Sequence, residues 1–411
     1  MPITSRPRRI LYVENGIGYG GAIICLRHLV RNIDRSLFTP MVVTGRTGTQ
    51  YQEIAKEALW KYITDRHIDI VGAHRAIDHL EWPDKIPGLR FVINQVLART
   101  DDIANFLPFF IQLLWTAKIF KADLIHCNNE PLCNRAALLV GKILNIPTVC
   151  HVRGDQEGSR LMKWAFNLPD RFISVSHWVS ESMQNKLQIP ANKIDIIYDG
   201  IELDKLDLNA EGNDFRRIYN IGEKDFAVGL IGLLIPWKGQ ELFLDAANIL
   251  KSKIPNLKMI IIGGTPDDCY EYEKMLKTRV KKEQLENIVI FTGHINNMPL
   301  AYNGIDIVVS ASTSPEPLGT VVIESMAMAR PLIGPKHGGA AEMMEHNKTG
   351  LLFVPKSPTS LAEQIYAFYI DSSLRSTISQ NARSHALKTF AVDTHVRKVK
   401  EVYDGLLNNV A

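Results

Sequence analysis

At 411 residues the chain is long for one core, and at roughly 150 residues per domain it reads as two or three. Its 46% hydrophobic and 22% charged content is that of a globular protein and argues against a disordered or low-complexity chain. The net charge of +3 is gathered in residues 1–200, with 24 Lys and Arg against 19 Asp and Glu. That suits an anionic small ligand or lipid head group and is too weak for a nucleic-acid surface.

The opening MPITSRPRRI is basic but leads straight into a strand, so no export signal is expected. Buried strands are predicted at RRILYVEN (8–15), FTPMVVTG (38–45), KADLIHCN (121–128) and IPTVCHVR (146–153). Another, at RFISVSHWVS (171–180), runs into a helix. AIICLRHLVRNI (22–33) is one of the helical segments between them. Strand–helix alternation with continuous apolar strands implies a parallel sheet covered on both faces. IANFLPFFIQLLWTAKIF (103–120) is nearly long enough to span a bilayer. Asn105, Gln112 and Lys118 interrupt it and Pro108 is expected to break a helix there. The segment therefore reads as a buried helix or helix pair, with membrane-surface contact as the alternative. Five scattered cysteines, an odd number, point to free thiols in a reducing compartment.

After the polar stretch DLNAEGNDFRR the pattern restarts, with strands predicted at 226–234, 257–264, 287–293, 305–312, 330–336 and 350–355. Helices lie between them, at 240–253 and 318–329 for example. The expected organisation is a domain over 1–205, a second over 206–391, and an amphipathic C-terminal segment from 392 packing back onto the first. Two such sheets would bind ligands beyond the C-terminal ends of their strands, in a cleft.

Gly16, Gly18 and Gly21 fit G-x-G-x-x-G between a strand and a helix, the context of a dinucleotide fingerprint. The second strand lacks the acidic residue that would hold a ribose, although Arg46 could meet a 2′-phosphate, so an NADP oxidoreductase stays a rival. The other Gly-rich element is GLIGLLIPWKGQELF, where Lys238 stands at a helix start, a place that brings a cation and free backbone N–H groups together.

Two glutamates flank PLGTVVI. On one helix Glu316 and Glu324 would lie ~12 Å apart and about 80° apart in rotation, too far for joint proton transfer. Pro315, Pro317 and Gly319 put Glu316 in a strand-end loop and Glu324 about a turn into the next helix. An anion seated at that helix start would have one carboxylate on either side, each suited to hydroxyl groups, which describes a nucleotide sugar.

These motifs resemble glycosyltransferase family 4, of the GT-B fold: α/β, with two Rossmann-like doubly wound parallel-sheet domains facing across a cleft. The resemblance rests on EPLGTVVIESMA (E-x7-E), IVIFTGHINNM, IDIVVSAS, RPLIGPKHGGAAEMM, NKTGLLFVP, IPWKGQ, IIYDGIE and GYGGAIICLRHL. It implies a retaining, metal-independent transfer of a hexose-type sugar from a UDP- or GDP-linked donor to a glycan or lipid-linked acceptor. The donor is a substrate, no further cofactor is implied, and no D-x-D occurs in the chain. By resemblance Glu316 holds the transferred sugar and Glu324 the ribose. Lys238 neutralises the diphosphate, helped by amides of Leu318, Gly319 and Thr320. Gly263, Gly264 and His294 meet the base, Gly20 and Gly21 approach donor phosphate or acceptor, and His151 faces the reacting sugar. Leu233 stands where the family usually has Arg, which shifts phosphate binding toward Lys238, Arg153 or Lys336. A cytoplasmic protein, peripheral at the inner face of a membrane and serving polysaccharide synthesis, is expected. A non-catalytic GT-B partner protein is the second alternative.

Overall fold

The computed structural model describes residues 6–15, 21–80, 82–155 and 160–408. Two compact units are present. One comprises the chain up to Val175, Val179–Ile197 and the residues from Val396 on; the other comprises Ser176–Trp178 and Tyr198–His395.

The first unit holds β1 (Arg8–Glu14), β2 (Phe38–Thr44), β3 (Leu59–Tyr62), β4 (Leu124–Asn128), β5 (Thr148–Val152), β6 (Arg171–Ser174) and β7 (Ile194–Ile196). They form one parallel sheet in the order β3-β2-β1-β4-β5-β6-β7. Ile10, Leu11, Tyr12 and Val13 of central β1 have no exposed surface, because helices cover both faces. The edge strand β3 was not expected from the sequence. Its LWKY is short and mostly exposed, so it carries neither the apolar run nor the alternation that marks a strand.

The second unit holds β8 (Phe226–Ile231), β9 (Leu257–Ile262), β10 (Val289–Gly293), β11 (Ile307–Val309), β12 (Leu332–Pro335) and β13 (Leu351–Phe353). These too are parallel, in the order β10-β9-β8-β11-β12-β13. The order reverses at β8–β11, the kind of switch point where loops part and ligands bind in such sheets. The loops that follow β8 and β11 are those that carry Lys238 and Glu316.

Pro108 does not break the helix. A helix over Leu89–Asp101 passes through a π turn at Asp102–Phe106 into a further helix over Leu107–Phe120. Proline cannot give the N–H that an unbroken α ladder needs, and the wider turn placed just before it lets the chain continue. Asn105 lies within that turn, 5% exposed. Its Oδ1 accepts from the N–H groups of His67 (2.7 Å) and Ile68 (2.9 Å), and its Nδ2 donates to Ile68 O and Asp101 Oδ1, both at 2.9 Å. The polar residue that looked like an interruption ties the 67–68 loop to the helix.

Asn105→Ala would strand two backbone donors and one acceptor. We expect a loss of about 2–3 kcal/mol in urea denaturation followed by circular dichroism. An unchanged midpoint would remove the tethering role.

Candidate functional site

Three loops of the second unit are held against one another by backbone contacts. A Cβ on Gly263, whose φ is +154°, would fall 1.9 Å from Gly232 O, so the chain after β9 lies directly on the chain after β8. A Cβ on Gly239, with φ +81°, would fall 1.9 Å from Ala311 O, which seats the chain after β11 on the other side. Only glycine permits either approach. The Thr313 N–H donates to Trp237 O at 2.8 Å, fixing the two loops in register.

Lys238 closes the turn Pro236–Lys238, ahead of the helix Gln240–Leu250. Its Nζ lies 4.5 Å from the centre of the Trp237 ring and 2.9 Å from Glu316 Oε2, with both charged side chains mostly enclosed. The expected sugar carboxylate and the expected phosphate cation are therefore partners here, rather than standing apart. The Ser312 hydroxyl donates to Glu316 Oε1, and the Glu316 carbonyl accepts from Gly339 N at 2.7 Å. His337 Nε2 lies 3.0 Å from Ser312 O. The carboxylate is thus fixed from the side chain and from the backbone.

Leu318 is nearly buried, and Gly319 (φ +105°) opens the helix Thr320–Ala327 without a side-chain cap. The Val322 N–H donates to Gly319 O at 3.0 Å, while the N–H groups ahead of it precede the helical ladder, a place where backbone donors can take an anionic ligand. Glu324 lies one turn further on, on a different element from Glu316. Tyr302, fully buried, donates to Glu324 Oε2 at 2.8 Å. Burial pushes the Glu324 carboxyl above its ordinary range while the Tyr302 bond pulls it back. Burial and the neighbouring Glu324 raise the Tyr302 hydroxyl well above its usual value, so it stays a donor. Gly263, Gly264 and His294 come together: a Cβ on Gly264 would touch His294 Cβ at 3.4 Å. The exposed His294 ring places Nε2 3.0 Å from Asn296 Oδ1. Leu233 is exposed, and its carbonyl accepts from the buried Gln240 amide at 2.9 Å.

In the first unit Gly21 opens the helix Gly21–Asn32, while Gly16, Gly18 and Gly20 lie outside the described residues. Arg153 Nε donates to Asn128 Oδ1 at 3.1 Å, and Arg153 Nη2 lies 3.3 Å from His151 Nδ1. Asn128 donates in turn to Glu14, which also accepts from Asn129 Nδ2 at 2.8 Å. His151 has no exposed surface. Its ring centre is 5.4 Å from that of His126, whose Nδ1 is 2.6 Å from the Tyr403 hydroxyl. Tyr403 donates to Tyr12 at 3.2 Å, and burial raises both phenols well above their usual range. The expected sugar-facing histidine is thus enclosed in a polar cluster, with Arg153 as its partly exposed neighbour.

Sequence reasoning missed Ser312, Trp237, Tyr302, Glu14 and Asn128. The first two left a signal in their closeness to Glu316 and Lys238. Glu14, Asn128 and Tyr302 meet their partners across the fold and left none.

Two doubly wound parallel-sheet units fit the GT-B fold, and a Lys–Glu pair lies beside an uncapped helix start in the second of them. Comparison with known families agrees: the model for Glycosyltransferase Family 4 matches residues 19–205, and that for Glycosyl transferases group 1 matches residues 212–385. The chain belongs to the family 4 glycosyltransferases. It is 25% identical over 302 residues to the putative glycosyltransferase YtcC of Bacillus subtilis, spanning 69% of this chain and 73% of that protein. It is 25% identical over 214 residues to the lipopolysaccharide core biosynthesis mannosyltransferase LpsB of Rhizobium meliloti, spanning 52% and 61%. Its fold is like that of Anabaena Alr3699/HepE, crystallised with UDP and glucose, at a TM-score of 0.78 and 23% identity over 97% of this chain and 99% of that one.

A carboxyl whose folded pKa is raised disfavours the fold while ionised, and the penalty fades as pH falls through the raised value toward the unfolded one. Glu324→Gln keeps the acceptor for Tyr302 and removes the charge. We expect its Tm to exceed that of the parent by about 2–4 °C at pH 7, the gap closing near pH 4. A gap independent of pH would show that ionised Glu324 carries no burial penalty.

Proposed function

We propose that the chain moves a hexose-type sugar from a UDP- or GDP-linked donor to a hydroxyl of a glycan or lipid-linked acceptor, with retention and without a metal ion. The observation that carries this reading is the 2.9 Å Lys238–Glu316 pair beside the uncapped start of the helix Thr320–Ala327. A cation, free amides and a hydrogen-bonded carboxylate are what a diphosphate joined to a sugar requires. In this reading the Lys238 ammonium turns from Glu316 to the diphosphate when the donor arrives. Glu316 is then free to accept from the sugar's hydroxyls. Amides of Leu318, Gly319 and Thr320 share the phosphate charge. Glu324, with one oxygen bonded to Tyr302, offers the other to the ribose, and Gly263, Gly264 and His294 bound the base.

The bond from the anomeric carbon to the diphosphate oxygen breaks. The acceptor oxygen bonds the same face, and its proton passes to the departing phosphate oxygen. The leaving charge is met by Lys238 and the amides, so no carboxylate dyad is needed. Gly20 and Gly21 are assigned to donor phosphate or acceptor. Arg153, held by Asn128 and backed by His151, is assigned to substrate phosphate. A relative named as a lipopolysaccharide core biosynthesis mannosyltransferase supports an acceptor in cell-surface polysaccharide synthesis. The protein is assigned to the inner face of a membrane as a peripheral one.

Lys238→Ala and Glu316→Ala should each lower transfer by at least about a thousandfold, with circular dichroism unchanged. Full activity in Glu316→Ala would sink its assigned role. UDP or GDP should raise Tm in a thermal-shift screen. Protection by NADPH alone would favour an oxidoreductase, and protection by none of them a non-catalytic partner protein.

A further inference from the structure

The described residues include 28 large apolar side chains that stand exposed, and 14 of them lie between Leu59 and Ile119. That is half of them in about 15% of the chain, a concentration far beyond the scattered exposure normal for a protein surface. The densest part is a stripe on the helical run Leu89–Phe120 that steps by four: Ile103 (68% exposed), Leu107, Ile111, Trp115 and Ile119 (75%). The opposite side of the same run is packed, with Phe109, Leu113, Thr116 and Ala117 buried and the Thr116 hydroxyl accepting from Lys61 Nζ at 2.8 Å. By length and composition this run could cross a membrane, but a helix with one face committed to its own unit lies along a surface instead.

We propose that this stripe docks the protein onto an anionic lipid surface, with the helix parallel to the membrane plane. Three observations choose lipid over a protein partner. From Ile103 to Lys121 the only charged residues are Lys118 and Lys121, both positive, which complements anionic head groups. Lys118 Nζ sits 5.6 Å from the Trp115 ring centre, placing an indole and an ammonium together at one end of the stripe, as interfacial anchors are. Toward the other end of the stripe, Phe106 of the π turn lines a pocket of about 420 Å³ that also presents Asp65, Asp69, Asp101 and Arg135. An apolar ridge backed by a polar pocket suits a ligand with a sugar head on an apolar tail. The proposal deepens the reading of a membrane-borne acceptor and rests on it for its purpose, while vesicle binding can be measured without any transfer.

The full chain should float with vesicles of phosphatidylglycerol and phosphatidylcholine, more weakly with phosphatidylcholine alone, and lose binding as salt is raised. Ile111→Glu with Trp115→Glu should cut the bound fraction by about tenfold or more. Ile370→Glu, at a 64% exposed site in the second unit, should leave it unchanged. Protection by UDP or GDP in the stripe variant reports that the donor unit is intact. Should that variant fail to fold, Lys118→Glu with Lys121→Glu tests the same face, and unchanged anionic binding there overturns the proposal. It is also overturned if the parent protein stays out of both kinds of vesicle. The same holds if light scattering finds a dimer that the stripe variant dissociates while no vesicle binds. Vesicle binding without transfer to any acceptor would leave the surface standing and remove the transferase reading.

Discussion

The loops after β8 and β11 of the second unit meet in an ammonium–carboxylate contact, Lys238 to Glu316. At 2.9 Å in a partly wet site, the attraction of such a pair is a few kcal/mol, about the cost of drawing both charges from water. A contact so nearly balanced holds its shape yet yields to a stronger anion at small cost. The glycine approaches at Gly239 and Gly263, the Thr313–Trp237 bond and the Gly339–Glu316 bond all hold the backbone that sets this one distance. Leu233 brings no charge to the loop after β8, and Lys238 is the one charged residue between positions 232 and 240.

The same rule, that a polar group withdrawn from water must be partnered, shapes the first unit. Glu14 is nearly buried at the end of β1, and Asn128 and Asn129 answer it. Asn128 positions Arg153, and Arg153 reaches His151. Behind His151, the cluster of His126, Tyr403 and Tyr12 fastens the end of the C-terminal helix to β1 and β4. The segment from 392 contributes through a hydroxyl as well as through its apolar face.

The apolar run near residue 110 shows how far composition reaches. Eighteen mostly apolar residues announce a helix that avoids water on some side, but burial in a core and docking on lipid demand the same residue types. Asn105 and Pro108 look like breaks in a linear reading. In three dimensions one is a staple to the 67–68 loop and the other is absorbed by a π turn. The exposed edge strand β3 was invisible for the converse reason, since its four residues bury too little to leave a pattern.

The amino-acid sequence by itself determined the two parallel sheets, because strands buried on both faces must be continuously apolar and must alternate with helices. It also determined that Glu316 and Glu324 sit on different elements, because two prolines and a glycine are local backbone constraints. Tertiary structure alone decided that Lys238 touches Glu316, that Tyr302 occupies one oxygen of Glu324, that His151 is enclosed, and that one face of the 89–120 run is bare. Each of these depends on residues tens to hundreds of positions apart meeting at chosen distances. Charge pairing, burial and exposure are properties of that meeting, and no local pattern encodes them.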